Sequence, residues 1–370
     1  MEKLKIRTAA YINLSNLRHN YNTIKSTVGE NVKIFPVIKA DAYGHGALNF
    51  AAEYEKLGAS MFAVACLDEA VSLRKGGTKL PILVLGVTLP GYADTLCEYD
   101  IVQTVHSLEY ARQLSANLSL SNRLKVHIKV DSGMHRLGFS PCQHEQALEV
   151  GKLKGLEVCG IFTHYAESDN LKTEFTKEQT EKFNYMASFF GKDIIKHSSN
   201  SAATLCHGDK HFDGVRPGLI LYGEYPSEQI KCEFEKTGKS LKPVMTFCAG
   251  IVNIFGVKKG ESVGYSRTFY APYDMKIATV SAGYCDGVPR FLSNKGKVGI
   301  NGRLYNIAGR VCMDQFMVDI TGSDGINLYD TAVIFGEGGQ TCTQVADMGD
   351  TISYEVFCSV NKRVPRIYTE

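Results

Sequence analysis

The sequence predicts an α/β domain followed by an all-β one: an N-terminal TIM (β/α)8 barrel over residues 1–240, then a domain of short strands over residues 241–370. Three observations carry this expectation. A chain of 370 residues exceeds what one core usually supports. Its first 240 or so residues alternate eight short apolar runs with amphipathic or polar segments, the count and length of such a barrel. After Gly223 the alternation stops, and β-branched runs broken by glycines replace it.

The eight predicted strands span 32–39, 61–66, 81–86, 100–105, 124–130, 156–163, 194–198 and 218–222. Between them ALNFAAEYEKLG, DEAVSLRKGG and EQALEVGKLKG read as helices, the last two closing on lysine and glycine as helix C-termini do. A doubly wound sheet would give the same alternation, because periodicity does not report closure; the strand count favours the barrel. The stretch GEYPSEQIKCEFEKTGKSLKP is polar, holds a proline near each end and suits a domain junction. Beyond it VMTFCAGIVNIFGV, MKIATVSAGY, KVGINGRLYNIAG and TAVIFGEGG read as short strands and turns.

Composition excludes several classes of partner. Net charge is +2 with acids and bases interspersed, so no basic face points to nucleic acid. No apolar run approaches the roughly 18 residues of a membrane helix, and MEKLKIRTAAYINL lacks the apolar core of a signal peptide. The expectation is a soluble, cytoplasmic chain without a membrane segment. The cysteines number eleven, an odd count, with no C-x-x-C pair, which reads as reduced thiols rather than disulfides or a metal site.

The first strand ends on Lys39, followed by the small-residue turn Ala-Asp-Ala-Tyr-Gly-His-Gly. Barrel chemistry gathers at the C-terminal ends of the strands, where desolvation makes an amine nucleophilic toward a carbonyl. A plainer alternative is a lysine snorkelling from a strand end. The other strand ends weigh against it, since they bring Lys129, Asp131, Arg136, His164, His197, Ser198, Asn200, Ser201 and Arg216 to one rim.

Eight motifs, VIKADAYGHGA, IKVDSGMHRLGF, GIFTH, HSSNSAA, VRPGLILYG, VGYSRTF, CMDQ and YEVFC–RVPRI, run in this order along essentially the whole chain and resemble the alanine racemase family. The resemblance implies pyridoxal 5′-phosphate (PLP), a barrel, a β domain and a homodimer with shared active sites. Lys39 then matches the lysine that carries PLP and serves as one base for the α-proton. Tyr265 matches the base on the opposite face, supplied by the other subunit. Phenols ionise near pH 10, so such a base needs cations nearby, and His164 and Arg216 match that network. Arg216 also matches the residue facing the pyridine nitrogen. A guanidinium has no proton to spare, leaving that ring a weak electron sink and favouring reprotonation over transamination. Tyr43, Ser201 and the backbone amides of Gly218 and Leu219 match the phosphate cradle. Arg136 matches the contact to the PLP phenolic oxygen and the substrate carboxylate. Lys129 matches a lysine that is often carbamylated to hold that arginine. The backbone amide of Met313 matches a further carboxylate contact. Asp131 is expected in a turn, Asp314 to orient its neighbours, and Tyr284 and Arg290 to line the entrance.

One departure bears on the substrate. The family is expected to carry a tyrosine just before RVPR, bordering the substrate side chain, where this chain has Asn361 and Lys362. Losing that ring would enlarge the pocket, and the Asn361 amide could bond a serine hydroxyl. Two substrates therefore stand open. Alanine would give D-alanine for peptidoglycan. Serine would place the chain with the racemase portions of membrane-anchored vancomycin-resistance proteins. His135, Tyr165 and Cys285 are also unusual for their motifs. Rival readings are a PLP decarboxylase on the same plan, opposed by VGYSRTF and CMDQ; a single-domain PLP-binding protein, opposed by the β domain; and a barrel hydrolase without PLP.

Overall fold

The computed structural model describes residues 6–370. Eight parallel strands form the barrel: β2 (Lys33–Ile34), β3 (Phe62–Val64), β4 (Ile82–Val84), β5 (Ile101–Val105), β6 (Leu124–Lys129), β7 (Leu156–Phe162), β8 (Ile195–His197) and β9 (Gly214–Val215). From β3 onward each pairs with the next, β2 pairs β9, and Val37 bridges Ala63, so the sheet closes on itself. Closed parallel sheets are covered on both faces, which is why every residue of β5 is buried and the strands read as apolar runs.

The eighth strand differs from expectation. It is Gly214–Val215, while Leu219–Tyr222, predicted as strand, is a 3-10 helix. Pro217 has no N–H for a ladder, so the chain leaves the sheet there. The helix predicted over EQALEVGKLKG is His144–Val150 and stops at Gly151. The polar junction holds an amphipathic helix, Glu228–Glu235, capped by Ser227 and burying Ile230 and Phe234.

The second sheet draws on both ends of the chain. Strand β1 (Thr8–Asn13) runs antiparallel to β10 (Met245–Val257) and parallel to Arg366–Thr369. The 13-residue β10 also pairs with Thr331–Phe335 through Phe247–Gly250, with a register shift between Phe247 and Cys248, and with Met275–Val280 through Ile251–Val257, with a shift between Ile251 and Asn253. This strand-rich domain carries two short helices, Cys342–Asp347 and Ser353–Ser359. The second is anchored in the core by Val356 and Phe357 and presents Tyr354 to the barrel mouth. Among the described residues no helix is long and apolar enough to cross a membrane, and all eleven cysteines are free.

Candidate active site

A cavity of about 580 Å³ opens at the C-terminal end of the barrel strands. Its lining includes Lys39, Tyr43, Lys129, Arg136, His164, Ser201, Arg216 and Gly218, so the barrel brings these eight expected residues together.

Lys39 stands at the start of an unusual turn. Ala40, Asp41 and Ala42 have φ of 51–54° and ψ of 47–50°, and Tyr43 has φ 51°, which makes one turn of left-handed helix from residues with side chains. Such a conformation is disfavoured at every step, so neighbours must hold it. Glu69 does so, accepting from the Ala40 amide at 2.6 Å and the Ala65 amide at 2.8 Å. Asp41 accepts from the Ala47 amide at 2.8 Å, and Arg366 donates to the Gly44 carbonyl at 2.8 Å. Gly44 is left-handed too, and a Cβ there would stand 2.7 Å from the Phe357 carbonyl oxygen. The glycine after Tyr43 is thus a close-approach point against the second domain.

Arg216 occupies the cavity floor and is buried. Its Nη2 donates to the carbonyls of Thr163 at 2.7 Å and Ser198 at 2.9 Å, its Nη1 to His197 Nδ1 at 2.6 Å, and His164 Nδ1 lies 3.4 Å from Nη2. Phe162 is stacked on His197, with the guanidinium 5.1 Å from its ring centre. Burial lowers the Arg216 pKa to about 9, which still leaves a cation at neutral pH. Burial and then that cation push His164 and His197 well below the ordinary histidine range, so both rings are neutral; of the two residues expected as cations, Arg216 is one and His164 is not.

Lys129 is buried, and its Nζ donates to the Val130 carbonyl at 2.7 Å. Burial, with help from Arg216 and Arg136, lowers its pKa to about 7. Among the described residues no hydrogen bond or ion pair holds the Arg136 guanidinium. Asp131 is structural as expected, accepting from the amides of Gly133 and His135 at 3.0 Å each.

The opposite end of the cavity is a cluster of donors. Ser201 accepts from the Gly218 amide at 3.0 Å and lies beside the Tyr354 hydroxyl. The Tyr354 ring is 5.5 Å from that of Tyr43. Burial pushes both phenols up, Tyr354 to about 12, so each keeps its proton as a donor. A Cβ on Gly218 would come within 2.8 Å of the Tyr43 hydroxyl; only glycine leaves this cradle open. Leu219, the next residue, is buried. These donors fit a phosphate, and the neighbouring lysine and arginine fit the remainder of a PLP molecule.

The other expected residues lie elsewhere. Tyr265 is 71% and Met313 51% exposed, both at the surface of the second domain. Asn361 and Lys362 line a separate crevice behind the Lys39 turn, and the Asn361 side chain accepts from the Arg363 amide at 3.0 Å. The expectation that Asn361 borders the substrate is therefore corrected: the turn before Arg363 holds it away from the cavity. The aromatic ring expected there comes instead from Tyr354, the tyrosine of YEVFC, which the helix Ser353–Ser359 carries into the cavity wall. Phe162, His197 and Tyr354 lie within motifs that the sequence singles out, yet only the packing shows what each of them touches.

Two family models together match nearly the whole chain. The model described as "Alanine racemase, N-terminal domain" matches residues 12–226, and "Alanine racemase, C-terminal domain" matches residues 244–368. The chain belongs to the alanine racemase family. Among the curated relatives, alanine racemase 1 of Clostridium acetobutylicum is 40% identical over 97% of this chain and 94% of its own length. Among solved structures, the alanine racemase of Clostridium difficile 630 superposes with a TM-score of 0.94 at 39% identity, covering 100% of this chain and 97% of that one. The alanine racemase of Bacillus anthracis with bound L-Ala-P gives a TM-score of 0.92 at 32% identity, over 99% and 96% of the two chains. As a member of this family the chain is an amino-acid racemase, and its two-domain fold is the family's.

Proposed function

We propose that the chain interconverts L- and D-alanine with PLP held on Lys39, as a homodimer in which each barrel receives Tyr265 of the partner subunit. One observation carries the reading: the cavity holds a lysine on one side, while the second expected base stands exposed on the second domain of the same chain. Racemisation needs a base on each face of the α-carbon, so a single chain has half of each site. The barrel then carries the coenzyme with help from Tyr354 of its own second domain, and the same domain offers Tyr265 and Met313 to the partner; Thr8–Asn13, expected with the barrel in a unit over 1–240, belongs instead to the sheet of the 241–370 unit.

The residues divide the work. PLP, when bound, withdraws the electrons left on the α-carbon as its proton departs. Tyr43, Ser201, Tyr354 and the Leu219 amide would hold the phosphate, while the Gly218 amide, expected as a direct contact, is bonded to Ser201 and leaves that hydroxyl's own hydrogen free to donate. Arg216 would face the pyridine nitrogen and, as a guanidinium that stays protonated at neutral pH, would not give up a proton to it. Arg136 and the partner's Met313 amide hold the substrate carboxylate. Lys39 and the partner's Tyr265 take and return the α-proton. Lys129, with its pKa lowered to about 7, is available as a free amine to capture carbon dioxide, and the resulting carbamate anion would fix Arg136.

Alanine is the substrate favoured, because Tyr354 walls the pocket where a larger side chain would need room. The serine reading depends on an absent ring, and Tyr354 removes that basis. D-Alanine supply for peptidoglycan and a cytoplasmic setting are the roles that suit this activity. Mixing two inactive variants, K39A and Y265A, tests the proposal. Random exchange makes about half of the dimers hybrid, each with one intact site of two, so roughly a quarter of wild-type activity should return. No recovery would sink the shared site. Loss of the visible absorbance on borohydride treatment, and its absence in K39A, tests the coenzyme separately.

A further inference from the structure

Three features have no role in the site as described: the first arginine of the RVPR run, the aspartate of GYCDG and Asn361. The structure joins them. Asp286 is fully buried, and its carboxylate accepts from Arg7, from the Gly283 amide at 2.9 Å and from Arg363 Nε at 2.8 Å. Arg363 continues past it, donating through Nη2 to Asp314 at 2.7 Å. Asn361 aims that arginine: its side chain accepts from the Arg363 amide at 3.0 Å, and its own amide donates to the Asp286 carbonyl at 3.1 Å.

Asp314 sits in the turn Cys312–Met313–Asp314–Gln315, closed by the Cys312 amide donating to the Gln315 carbonyl at 2.9 Å. The turn lies flat on its neighbour. Tyr284 and Cys285 donate to the carbonyls of Cys312 and Met313 at 3.0 and 3.1 Å, and a Cβ on Gly283 would overlap the Met313 carbonyl. Met313 is left at the tip, with no protein acceptor for its amide among the described residues.

We infer that Arg363, braced on buried Asp286, is a positioning residue that acts through Asp314 to fix the Met313 amide for substrate carboxylate in the partner's barrel. The inference rests on the shared-site reading of the preceding section. A projecting turn held by backbone bonds alone can tilt, and a tilt of well under an ångström weakens a hydrogen bond to a carboxylate. An ion pair with one end in the core removes that freedom. Asp286 keeps Arg7 and the Gly283 amide when Arg363 is removed, so the fold does not depend on this link.

The test uses holoenzyme variants R363A, D314A and D314N, with dimer mass checked by light scattering. Asp314 is exposed, so D314A carries no folding penalty of its own. R363A and D314A should raise KM for alanine about tenfold with kcat within about twofold, the split expected when a binding contact loosens. D314N keeps an oxygen that accepts from Arg363 and should stay within about twofold of wild type. Unchanged KM in D314A overturns the inference. A hybrid of R363A with K39A, isolated on two affinity tags, separates it from the shared-site reading. Its one live barrel receives the intact turn of the K39A chain, so wild-type KM should return. A KM that stays high in the hybrid would mean the brace acts within its own chain and would overturn the placement in the partner's site.

Discussion

Arg216 donates to His197 Nδ1 at 2.6 Å, and this contact fixes the protons of two further rings. A guanidinium only donates, so Nδ1 must carry the lone pair and Nε2 the hydrogen. His197 Nε2 then donates to His127 Nδ1 at 2.9 Å, which leaves the His127 hydrogen on Nε2, packed against Gly160 with no acceptor. Both rings are neutral, and burial lowers the His127 pKa to about 3. The sign follows from the depressed folded value: stability is full above the unfolded pKa near 6.5 and is lost as pH falls toward 3. H127N keeps an acceptor for His197 but cannot titrate. Unfolding free energies from urea titrations should fall less steeply for the variant between pH 6 and 4, by up to about 1.4 kcal/mol per pH unit. Identical slopes in both proteins would show that His127 is not the group taking up protons.

Glu69 supplies the second prediction. Its two oxygens meet the amides of Ala40 and Ala65, and so hold a turn of four left-handed residues that costs about 1–2 kcal/mol each. In E69Q one of those amides faces an NH2 group instead of an oxygen. Unfolding stability should drop by about 1–3 kcal/mol, and PLP should be lost faster on dialysis, followed by visible absorbance. Reduced stability with unchanged retention would mean that Glu69 serves the fold without positioning Lys39.

The barrel was legible because its buried parallel strands are mostly apolar runs such as Phe62–Val64 and Ile82–Val84, and its polar strand ends announced the rim. What stayed hidden depends on partners far away in sequence. Thr8–Asn13 carries no alternation to distinguish it, since both of its neighbours, β10 and Arg366–Thr369, belong to the far half of the chain. Leu219–Tyr222 is as apolar as a strand, and only Pro217 marks the exit from the sheet. The role of Tyr354 is concealed for a related reason. Distance from RVPR counts along the chain, whereas a short helix carries the ring into the barrel mouth.

Lys129 gives a prediction with a pH sign. Only a free amine captures carbon dioxide, and burial lowers the Lys129 pKa to about 7. Protein equilibrated with 13C-bicarbonate should show one slowly exchanging carbamate carbon by NMR at a pH about one unit above that value. The signal should fade as pH drops below about 7, and K129A should lack it. A signal that survives in K129A would assign the carbamate to another amine.

The position of Tyr354 in the cavity wall gives a prediction on side-chain selectivity. Its ring lies 5.5 Å from that of Tyr43, its hydroxyl lies beside Ser201, and both tyrosines line the same cavity. Replacing it by asparagine removes a wall and offers an amide to a substrate hydroxyl. A site that gains a partner for a polar group gains about 1–3 kcal/mol for the substrate that carries it. Y354N should therefore raise the ratio of kcat/KM for serine over alanine by about tenfold or more, with much of the change coming from lost alanine activity. N361A is the matched control, because Asn361 lines a different crevice and binds the Arg363 amide. It should alter both substrates alike and leave the ratio where it was. A selectivity change in N361A and none in Y354N would return the specificity role to the turn before Arg363.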